Sequence, residues 1–321
     1  MHAPDAGAPG SVPARTATIG PGRAVLAFDV GGTDIKSALF DATGASRGLR
    51  RTPTPAPGPD GAHRLVDRVA ELAEELRAQH PDAVPEAVGL VVPGIVDADE
   101  GVAVFSSNLD WRDVPLRALM SARFGVPVAF DHDVRAAGWA ERRLGAARES
   151  TDAVMLIIGT GIAGALLIDG RMHAAGGYAG EIGHAPIGDW PCSCGARGCL
   201  EAVASAGAIA RRYTEAAGTA VDGARGVIAL AAAGEGTAAR IWEEALDALA
   251  LALAQLTAVL APRTVVIGGG LSRAGDALFA PLRARLAARL SFHRLPDLVP
   301  AELSEDAGLL GSALLARDAL T

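Results

Sequence analysis

The sequence predicts an α/β protein built of two lobes with a cleft between them. At 321 residues the chain is longer than one compact hydrophobic core accommodates and is comfortable for two lobes. Half of the residues are hydrophobic, so a well-filled globular interior is expected. Short apolar runs that end in glycine or aspartate alternate with longer stretches of helical periodicity, which favours strands and helices in one chain.

The first predicted strand, Ala24–Val30, ends in a glycine-rich turn. The turn, Gly31-Gly32-Thr33, leads at once into a second apolar stretch, Ile35–Phe40, so this segment is a strand, a tight turn and a strand. Glycines at such a turn let backbone N–H groups approach a phosphate, and Thr33 adds a hydroxyl. An ordinary hairpin is the alternative, because adjacent glycines are common in hairpin turns.

A carboxylate follows a later strand of the first half. Residues 61–79 are predicted as an amphipathic helix and Ala87–Val92 as a buried strand. Val126–Phe130 is the next strand, followed by Asp131-His132-Asp133 and a helix over Val134–Leu144. A carboxylate between a strand's carboxyl end and a helix is well placed to face an inter-lobe cleft. Helix capping is the alternative role for these aspartates.

A second glycine-rich turn, Gly159-Thr160-Gly161, follows the apolar strand Ala153–Ile158. With the residues up to Gly164 it satisfies the pattern G-x-G-x-x-G, but a dinucleotide-binding fold requires a helix directly after these glycines. Ala165–Ile168 instead continues as a strand into Asp169-Gly170, a hairpin turn signal. We therefore predict a second glycine hairpin, which faces the first and holds phosphates from the opposite lobe.

The second half of the chain is mostly helical and contains one further glycine run. Arg263–Ile267 is predicted as a buried strand that ends at Gly268-Gly269-Gly270. Close backbone approach at such a run suits a flat adenine and its ribose, and a strand-to-helix turn is the alternative. Helical periodicity predicts helices over residues 206–217, 227–233, 238–260, 274–290 and 307–320.

All three cysteines fall within eight residues of loop-like sequence. Cys192, Cys194 and Cys199, with His184 upstream, offer the thiolate and imidazole ligands that zinc prefers, and four such ligands close a structural, tetrahedral shell. Buried, apolar cysteines are one alternative. A disulfide is a second, disfavoured by the odd number of cysteines. The clustering favours structural Zn²⁺.

Two carboxylates, Glu181 and Glu201, bracket these four side chains. A metal that closes the loop would hold both carboxylates and the His184 ring in fixed relative positions. Each could then accept hydrogen bonds from neighbouring hydroxyls of a polyhydroxylated ligand.

The same segment resembles the signature of the ROK family, named for repressors, open reading frames and kinases. The family pattern E-x-G-H, followed by C-x-C-G-x-x-G-C-x-E, is complete between Glu181 and Glu201. Its first phosphate loop, D-x-G-G-T, is matched by Asp29–Thr33, and its second, G-T-G, by Gly159–Gly161. The resemblance runs from about Val25 to the C-terminus and implies the two-lobed actin-like, ribonuclease-H-like ATPase fold of sugar kinases.

The resemblance also implies roles for individual residues. Asp133 matches the catalytic aspartate of the family kinases, and Asp29 would lie near the Mg²⁺ that accompanies ATP. The implied sugar ligands are Asn108, His132, Glu181, His184 and Glu201. The implied ATP and Mg²⁺ site comprises Asp29, Gly31, Gly32, Thr33, Gly159, Thr160, Gly161, Gly268, Gly269 and Gly270.

The chain departs from the family pattern beside Asp133. His132 stands where an asparagine usually contacts a sugar hydroxyl, and Arg135 replaces a second asparagine. Because imidazole has a different donor and acceptor pattern, these departures leave the preferred sugar open.

Composition and charge indicate which classes of partner are expected for this protein. The net charge of −8 disfavours nucleic acid. Residues 1–23 are predicted as a flexible leader with no room for the two helices of a helix-turn-helix. No run of roughly eighteen apolar residues appears, so we expect a cytoplasmic protein without a membrane partner. Lys36 is the only lysine, which we attribute to compositional bias.

We predict an ATP-dependent hexose kinase that forms glucose 6-phosphate, with Asp133 as base, Mg²⁺ and structural Zn²⁺ as metals and a homodimer as its assembly. No Walker motif is present. The predicted lobes are residues 24–131 with 303–321, and 132–302. Mannose or an N-acetylhexosamine is an alternative substrate, and polyphosphate an alternative donor. A sugar-sensing transcriptional regulator and a catalytically silent sugar-binding protein are the alternatives from other functional classes.

Overall fold

A computed structural model describes residues 18–58 and 60–321 of the chain. Its strands form two five-stranded sheets, one from each half of the sequence, and two smaller sheets. No helix in these described residues combines the length and apolar character needed to span a membrane.

The first sheet has the strand order β3-β2-β1-β4-β8. Its strands are β1 (Val25–Val30), β2 (Asp34–Phe40), β3 (Ser46–Pro53), β4 (Ala87–Val92) and β8 (Val128–His132). Strands β1, β4 and β8 are parallel, whereas β2 and β3 continue from β1 as antiparallel neighbours. Helix α1 (Gly61–Gln79) buries its apolar stripe against one face of this sheet, which forms one hydrophobic core.

The second sheet has the order β11-β10-β9-β14-β15. Its strands are β9 (Ala153–Ile158), β10 (Ile162–Ile168), β11 (Arg171–His173), β14 (Thr264–Gly268) and β15 (Asp297–Pro300). The helices between or beside them are α4 (Glu201–Ala204), α5 (Ala206–Ala217), α6 (Gly223–Ala232), α7 (Gly236–Leu260) and α8 (Asp276–Arg289). Residues of α5, α7 and α8 share the largest hydrophobic core with β9 and β14.

Two small sheets pack against these cores. One consists of β5 (Ile95–Asp97), β6 (Val102–Ser106) and β7 (Trp111–Val114), and helix α2 (Leu116–Phe124) follows it. The other is a hairpin of β12 (Pro186–Pro191) and β13 (Arg197–Cys199).

Two helices connect the halves of the molecule. Helix α3 (Asp133–Leu144) leads from β8 of the first sheet towards β9 of the second. Helix α9 (Ala307–Asp318) follows β15 of the second sheet but packs on β1 and β4 of the first, as expected for the last helix. The two helices approach very closely, since a Cβ on Gly311 of α9 would lie 2.0 Å from the carbonyl oxygen of Ala136 in α3.

Both glycine-rich hairpins predicted from the sequence are confirmed. Strands β1 and β2 pair antiparallel around the first turn, and β9 and β10 pair antiparallel around the second. No helix follows Gly159–Gly161, so the dinucleotide-binding pattern occurs here without its fold.

The strand predicted over Val126–Phe130 is shifted by two residues. It extends to His132, so Asp131 and His132 belong to the strand and Asp133 begins the helix directly. The sequence analysis did not predict strands β3, β5–β7, β11–β13 and β15 or helices α2 and α4.

The predicted leader, residues 1–23, is described only from residue 18 onwards. The described part is held in place: Ile19 is 6% exposed, and its N–H donates to the carbonyl of Gly44 at 3.1 Å. The Arg317 guanidinium of α9 donates to the carbonyls of Gly20 and Arg23. Residues 18–23 therefore pack as part of the fold.

We expect Gly89→Ala to destabilise the protein. Its new Cβ would lie 2.0 Å from the backbone oxygen of Ser312, so α9 would have to move off β4. A cost of about 1–3 kcal/mol or more is expected in the free energy of unfolding measured in urea. Gly236→Ala is the matched control, because nothing lies within 4 Å of its Cβ, and it should leave that free energy unchanged or slightly higher. Equal stability of both variants would contradict the close packing of α9.

Candidate active site

The carboxyl ends of parallel strands bring two aspartates together at one edge of the first sheet. Asp29 lies near the end of β1, and Asp133 follows β8 at the start of α3. Both line a cavity of about 270 Å³, and the turn Gly268-Gly269-Gly270 after β14 lines it too. Three segments that the sequence analysis treated separately thus share one cleft.

Glycines allow the backbone to approach this cleft. Gly269 has φ of 79°, and a Cβ there would lie 2.5 Å from the carbonyl oxygen of Ile158. On the other side, a Cβ on Gly308 would lie 2.6 Å from Oδ2 of Asp29, so the first turn of α9 reaches the carboxylate. A side chain at Gly269 would therefore clash with the backbone of β9, and one at Gly308 would clash with the Asp29 carboxylate.

Burial changes the acidity of both aspartates. It raises the pKa of Asp133 to about 7, against the opposing effect of the Val134 N–H, which donates to Oδ1 at 2.7 Å. Burial, and then the charge of Asp133, raise the pKa of Asp29 to about 6, although the cations Lys36 and Arg51 act in the opposite direction. Asp133 thus has the pKa of a general base that works near neutral pH.

His132 is a buried neighbour of this base. Burial, followed by the charge of Arg135, lowers the pKa of His132 to about 4, so the imidazole is neutral at pH 7. Its Nε2 lies 3.1 Å from Oδ1 of Asp133. A neutral imidazole therefore lies directly beside the carboxylate.

Arg135, the second departure from the family pattern, is directed into the protein. Its guanidinium pairs with Asp131, with Nε 2.7 Å from Oδ1, and donates from Nη2 to the carbonyl of Val96 at 2.8 Å. The side chain is 2% exposed. Arg135 therefore ties α3 to β5, and its side chain is turned away from solvent.

The first glycine turn forms a second cavity beside the first. The Gly31 N–H donates to the carbonyl of Asp34 at 2.8 Å, which closes the turn. Asp29, Gly31 and Thr33 line this cavity of about 240 Å³. Gly32 is exposed beside Asn108, because a Cβ on Gly32 would lie 3.4 Å from Cβ of Asn108. The predicted sugar ligand Asn108 thus adjoins the predicted phosphate loop.

The second glycine turn is linked to the cysteine segment. The Gly159 N–H donates to the carbonyl of Gly161 at 2.9 Å, and the Ile162 N–H donates to Oε2 of Glu201 at 2.8 Å. Among the described residues that line the 270 Å³ cavity, none comes from Gly159–Gly161. Glu201, at the start of α4, therefore positions this turn in addition to its predicted role as a sugar ligand.

The predicted metal ligands come together in the β12–β13 hairpin, where the sequence analysis expected a loop. The Cys192 N–H donates to the carbonyl of Ala196 at 2.9 Å, and Gly195 takes a φ of 92° in the turn. The ligand atoms of His184, Cys192, Cys194 and Cys199 lie within 4.8 Å of one another.

The spacing of this cluster fits a tetrahedral zinc shell. Zn–S bonds of about 2.3 Å place two sulfurs about 3.8 Å apart. Sγ of Cys194 lies 3.7 Å from Sγ of Cys199, and Nδ1 of His184 lies 3.9 Å from Sγ of Cys192. The S–S distance is far longer than the roughly 2.05 Å of a disulfide. The set can hold one Zn²⁺ and leaves Nε2 of His184 for another contact.

Glu181 is exposed at the start of the turn that carries His184. Its charge is close enough to His132 to raise the pKa of that ring, against the larger effect of burial. Glu181 therefore faces the same region as His132 and Asp133.

Several residues of the cleft were missed by the sequence analysis. Ser304 and Glu305, before α9, line the 270 Å³ cavity, and Arg273 lines both this cavity and an adjoining one of about 430 Å³. The adjoining cavity is also lined by residues 222–225 at the start of α6. Ser304 has a positive φ of 49°, a backbone conformation that no pattern in the sequence predicted.

Comparison with known proteins places this site in a family. The model of the ROK family matches residues 25–319. The chain belongs to the ROK family. It is 32% identical to a glucokinase of Halalkalibacterium halodurans over 91% of this chain and 94% of that protein. It is also 32% identical to an N-acetyl-D-glucosamine kinase of Yersinia pseudotuberculosis, over 90% of this chain and 97% of that protein.

A solved structure supports the same assignment. A ROK family glucokinase from Streptomyces griseus, crystallised with glucose and AMPPNP, is 29% identical and superposes with a TM-score of 0.75. The match covers 92% of this chain and 99% of that one. The predicted two-lobed actin-like fold and the predicted family are thereby confirmed.

We expect Cys194→Ser to remove zinc. The substitution leaves three ligands, and loss of the ion would release the hairpin that holds His184 and Glu201. Elemental analysis of the purified protein should fall from roughly one zinc per chain to near zero, with a lower melting temperature. Ser193→Ala, a neighbour outside the ligand set, should keep the metal. Full zinc content in Cys194→Ser would overturn the ligand assignment.

We expect Asp133→Asn to stabilise the ligand-free protein in a pH-dependent way. A carboxyl group whose pKa is raised in the folded state, here from 3.8 to about 7, loses its contribution to stability as pH rises through that range. Asparagine does not titrate, so the gain in unfolding free energy over the unmodified protein should be larger at pH 8 than at pH 5. Urea unfolding of both proteins at these two pH values measures this gain. A gain that does not change with pH would contradict the raised pKa of Asp133.

Proposed function

We propose that the protein is an ATP-dependent hexose kinase that transfers the γ-phosphoryl group of ATP to the 6-hydroxyl of glucose. The observation that carries this proposal is the position of Asp133. This partly buried carboxylate, with a pKa of about 7, shares one cavity with Asp29 and the Gly268–Gly270 turn. The relatives named above, which include kinases for two hexoses, support the same reaction class.

Asp133 acts as the general base. Its carboxylate accepts the proton of the sugar hydroxyl while that oxygen bonds to the γ-phosphorus and the bond from phosphorus to the β-phosphate oxygen breaks. Oδ1 accepts the Val134 N–H at 2.7 Å, so Oδ2 is the oxygen available to the hydroxyl. His132 beside it is neutral at pH 7, so the ring does not neutralise the carboxylate.

Asp29 and the glycine turns hold the nucleotide. Mg²⁺, when bound, supplies charge neutralisation for the phosphates. Asp29 fits such a role, because a cation beside it would relieve the repulsion from Asp133 that raises its pKa. The Gly268–Gly270 turn and the 430 Å³ cavity beside α6 provide space for adenosine.

The β12–β13 hairpin, called the zinc hairpin below, forms the sugar side of the site. Zn²⁺ would be structural, held by the three cysteines and Nδ1 of His184, and would fix the His184 ring with Nε2 free for a hydroxyl. Glu181 and Glu201 bracket it and accept hydrogen bonds from further hydroxyls, and Asn108 approaches from the first lobe beside Gly32. Cytoplasmic location and homodimerisation remain part of this proposal.

An N-acetylhexosamine is the second candidate substrate. The identity to an N-acetyl-D-glucosamine kinase equals that to a glucokinase, and His132 stands where the family has asparagine. A coupled assay with ATP and Mg²⁺ on glucose, mannose, N-acetylglucosamine and N-acetylmannosamine ranks these substrates by kcat/KM, and polyphosphate replaces ATP in a parallel series. The proposal fails if none of the hexoses is phosphorylated, and binding of DNA in the same preparation would favour a regulator.

We expect Asp133→Ala to abolish turnover and preserve sugar binding. Removal of a general base lowers kcat by about 10²–10⁴-fold, whereas the sugar contacts of the zinc hairpin remain. Steady-state kinetics measure the first effect, and calorimetric titration with the preferred hexose measures the second. Asp97→Ala, on β5 outside the cleft, is the control. An Asp133→Ala protein with undiminished kcat would rule out this residue as the base.

A further inference from the structure

Three charged side chains form a row across the first sheet. Asp29 of β1 is paired directly with Lys36 of β2, and Lys36 is paired directly with Arg51 of β3. Directly paired residues of neighbouring strands direct their side chains to the same face of the sheet. A carboxylate, an ammonium and a guanidinium therefore stand side by side on the face that carries α9.

This row belongs to the wall of the first glycine turn. Asp29, Lys36 and Arg51 line the cavity of about 240 Å³ together with Gly31 and Thr33. Although burial and Asp133 have the larger effects on the pKa of Asp29, both cations are close enough to lower it. The two cations thus lie beside the aspartate proposed to accompany Mg²⁺, in the cavity that the turn proposed to hold phosphate also lines.

Glu305 contacts both cations in the ligand-free protein. Nζ of Lys36 donates to the backbone oxygen of Glu305, and Nη2 of Arg51 lies 3.4 Å from its carboxylate. The Arg51 and Glu305 side chains are 53% and 62% exposed, so their pairing is weak and easily exchanged. Within the described residues, no carboxylate lies within 4.0 Å of the Lys36 ammonium, which leaves its charge for a ligand.

On the basis of the proposed kinase function, we propose that Lys36, assisted by Arg51, binds the phosphate chain of the donor and stabilises the charge that develops on it. The triphosphate displaces Glu305 from both cations. A compact ammonium with three donors suits phosphate oxygens as a point charge, and a guanidinium suits them as a fork. Lys36 is then a catalytic residue of the transfer, contributed by the strand beside Asp29.

The composition of the chain makes a direct test possible. Lys36 is the only lysine, so its ammonium is the only side-chain amine. Acetylation by an N-hydroxysuccinimide ester, followed by peptide mass spectrometry, reports on this one group. We expect MgATP to protect Lys36 severalfold and adenosine, which has no phosphates, to protect it little. Equal labelling with and without MgATP, under conditions where calorimetry shows the nucleotide bound, overturns the proposal.

Kinetics of variants give the second test. Lys36→Met should lower kcat by about 100-fold, as for loss of one donor to a developing charge, and Lys36→Arg should retain more of kcat. Arg51→Met should mainly raise KM for ATP, and Glu305→Gln should lower it. Arg50→Met is the matched control, because Arg50 is the next residue on β3 and bonds to Gln79 of α1 on the opposite face. It should leave kcat unchanged.

The two proposals fail separately. If the unmodified protein phosphorylates no hexose, the proposed function is wrong, and protection of Lys36 by MgATP still decides whether this row binds phosphates. If the protein is an active kinase and Lys36→Met has undiminished kcat and KM, the assignment of Lys36 alone is wrong.

Discussion

Two partly buried carboxylates that share one cleft are the constraint on which the site depends. Asp29 and Asp133 come from different strands, and each loses hydration when it is buried beside the other. Helices α3 and α9 impose this arrangement, because the glycine at Gly311 lets their backbones touch and Gly308 lets α9 reach Asp29. The stability lost at the carboxylates is offset by apolar packing of the same helices, such as Leu309 and Ala140 in one shared core.

A buried carboxylate, Glu141, links the two segments of chain that connect the lobes, namely α3 and the residues before α9. Glu141 of α3 is fully buried, and burial raises its pKa, yet its oxygens accept from the Leu303 N–H at 2.8 Å and the Ala146 N–H at 2.7 Å. Leu303 lies in the segment between β15 and α9, directly before Ser304 and Glu305. The hydrogen bond from Leu303 to Glu141 thus fixes Ser304 and Glu305 relative to α3, the helix that begins with Asp133.

The β12–β13 hairpin and the second glycine turn are also connected, through Glu201. Glu201 follows the last cysteine ligand by two residues and accepts the N–H of Ile162, which opens β10. Any metal that closes the hairpin therefore restrains the backbone of the turn proposed to hold phosphate. Glu201, proposed as a sugar ligand, thus also fixes the turn proposed to hold phosphate.

The sequence by itself determined the features that depend on near neighbours. Glycine turns between apolar strands, helical periodicity and the spacing of Cys192, Cys194 and Cys199 are local, so the hairpins, most helices and the ligand cluster could be predicted. Only the tertiary structure decided what depends on register and on distant segments. It directed Arg135 inward to Asp131, placed His132 beside Asp133, and placed Glu305 against Lys36, 269 residues away. The physical reason is that pairing between strands and burial of charge are set by the whole fold.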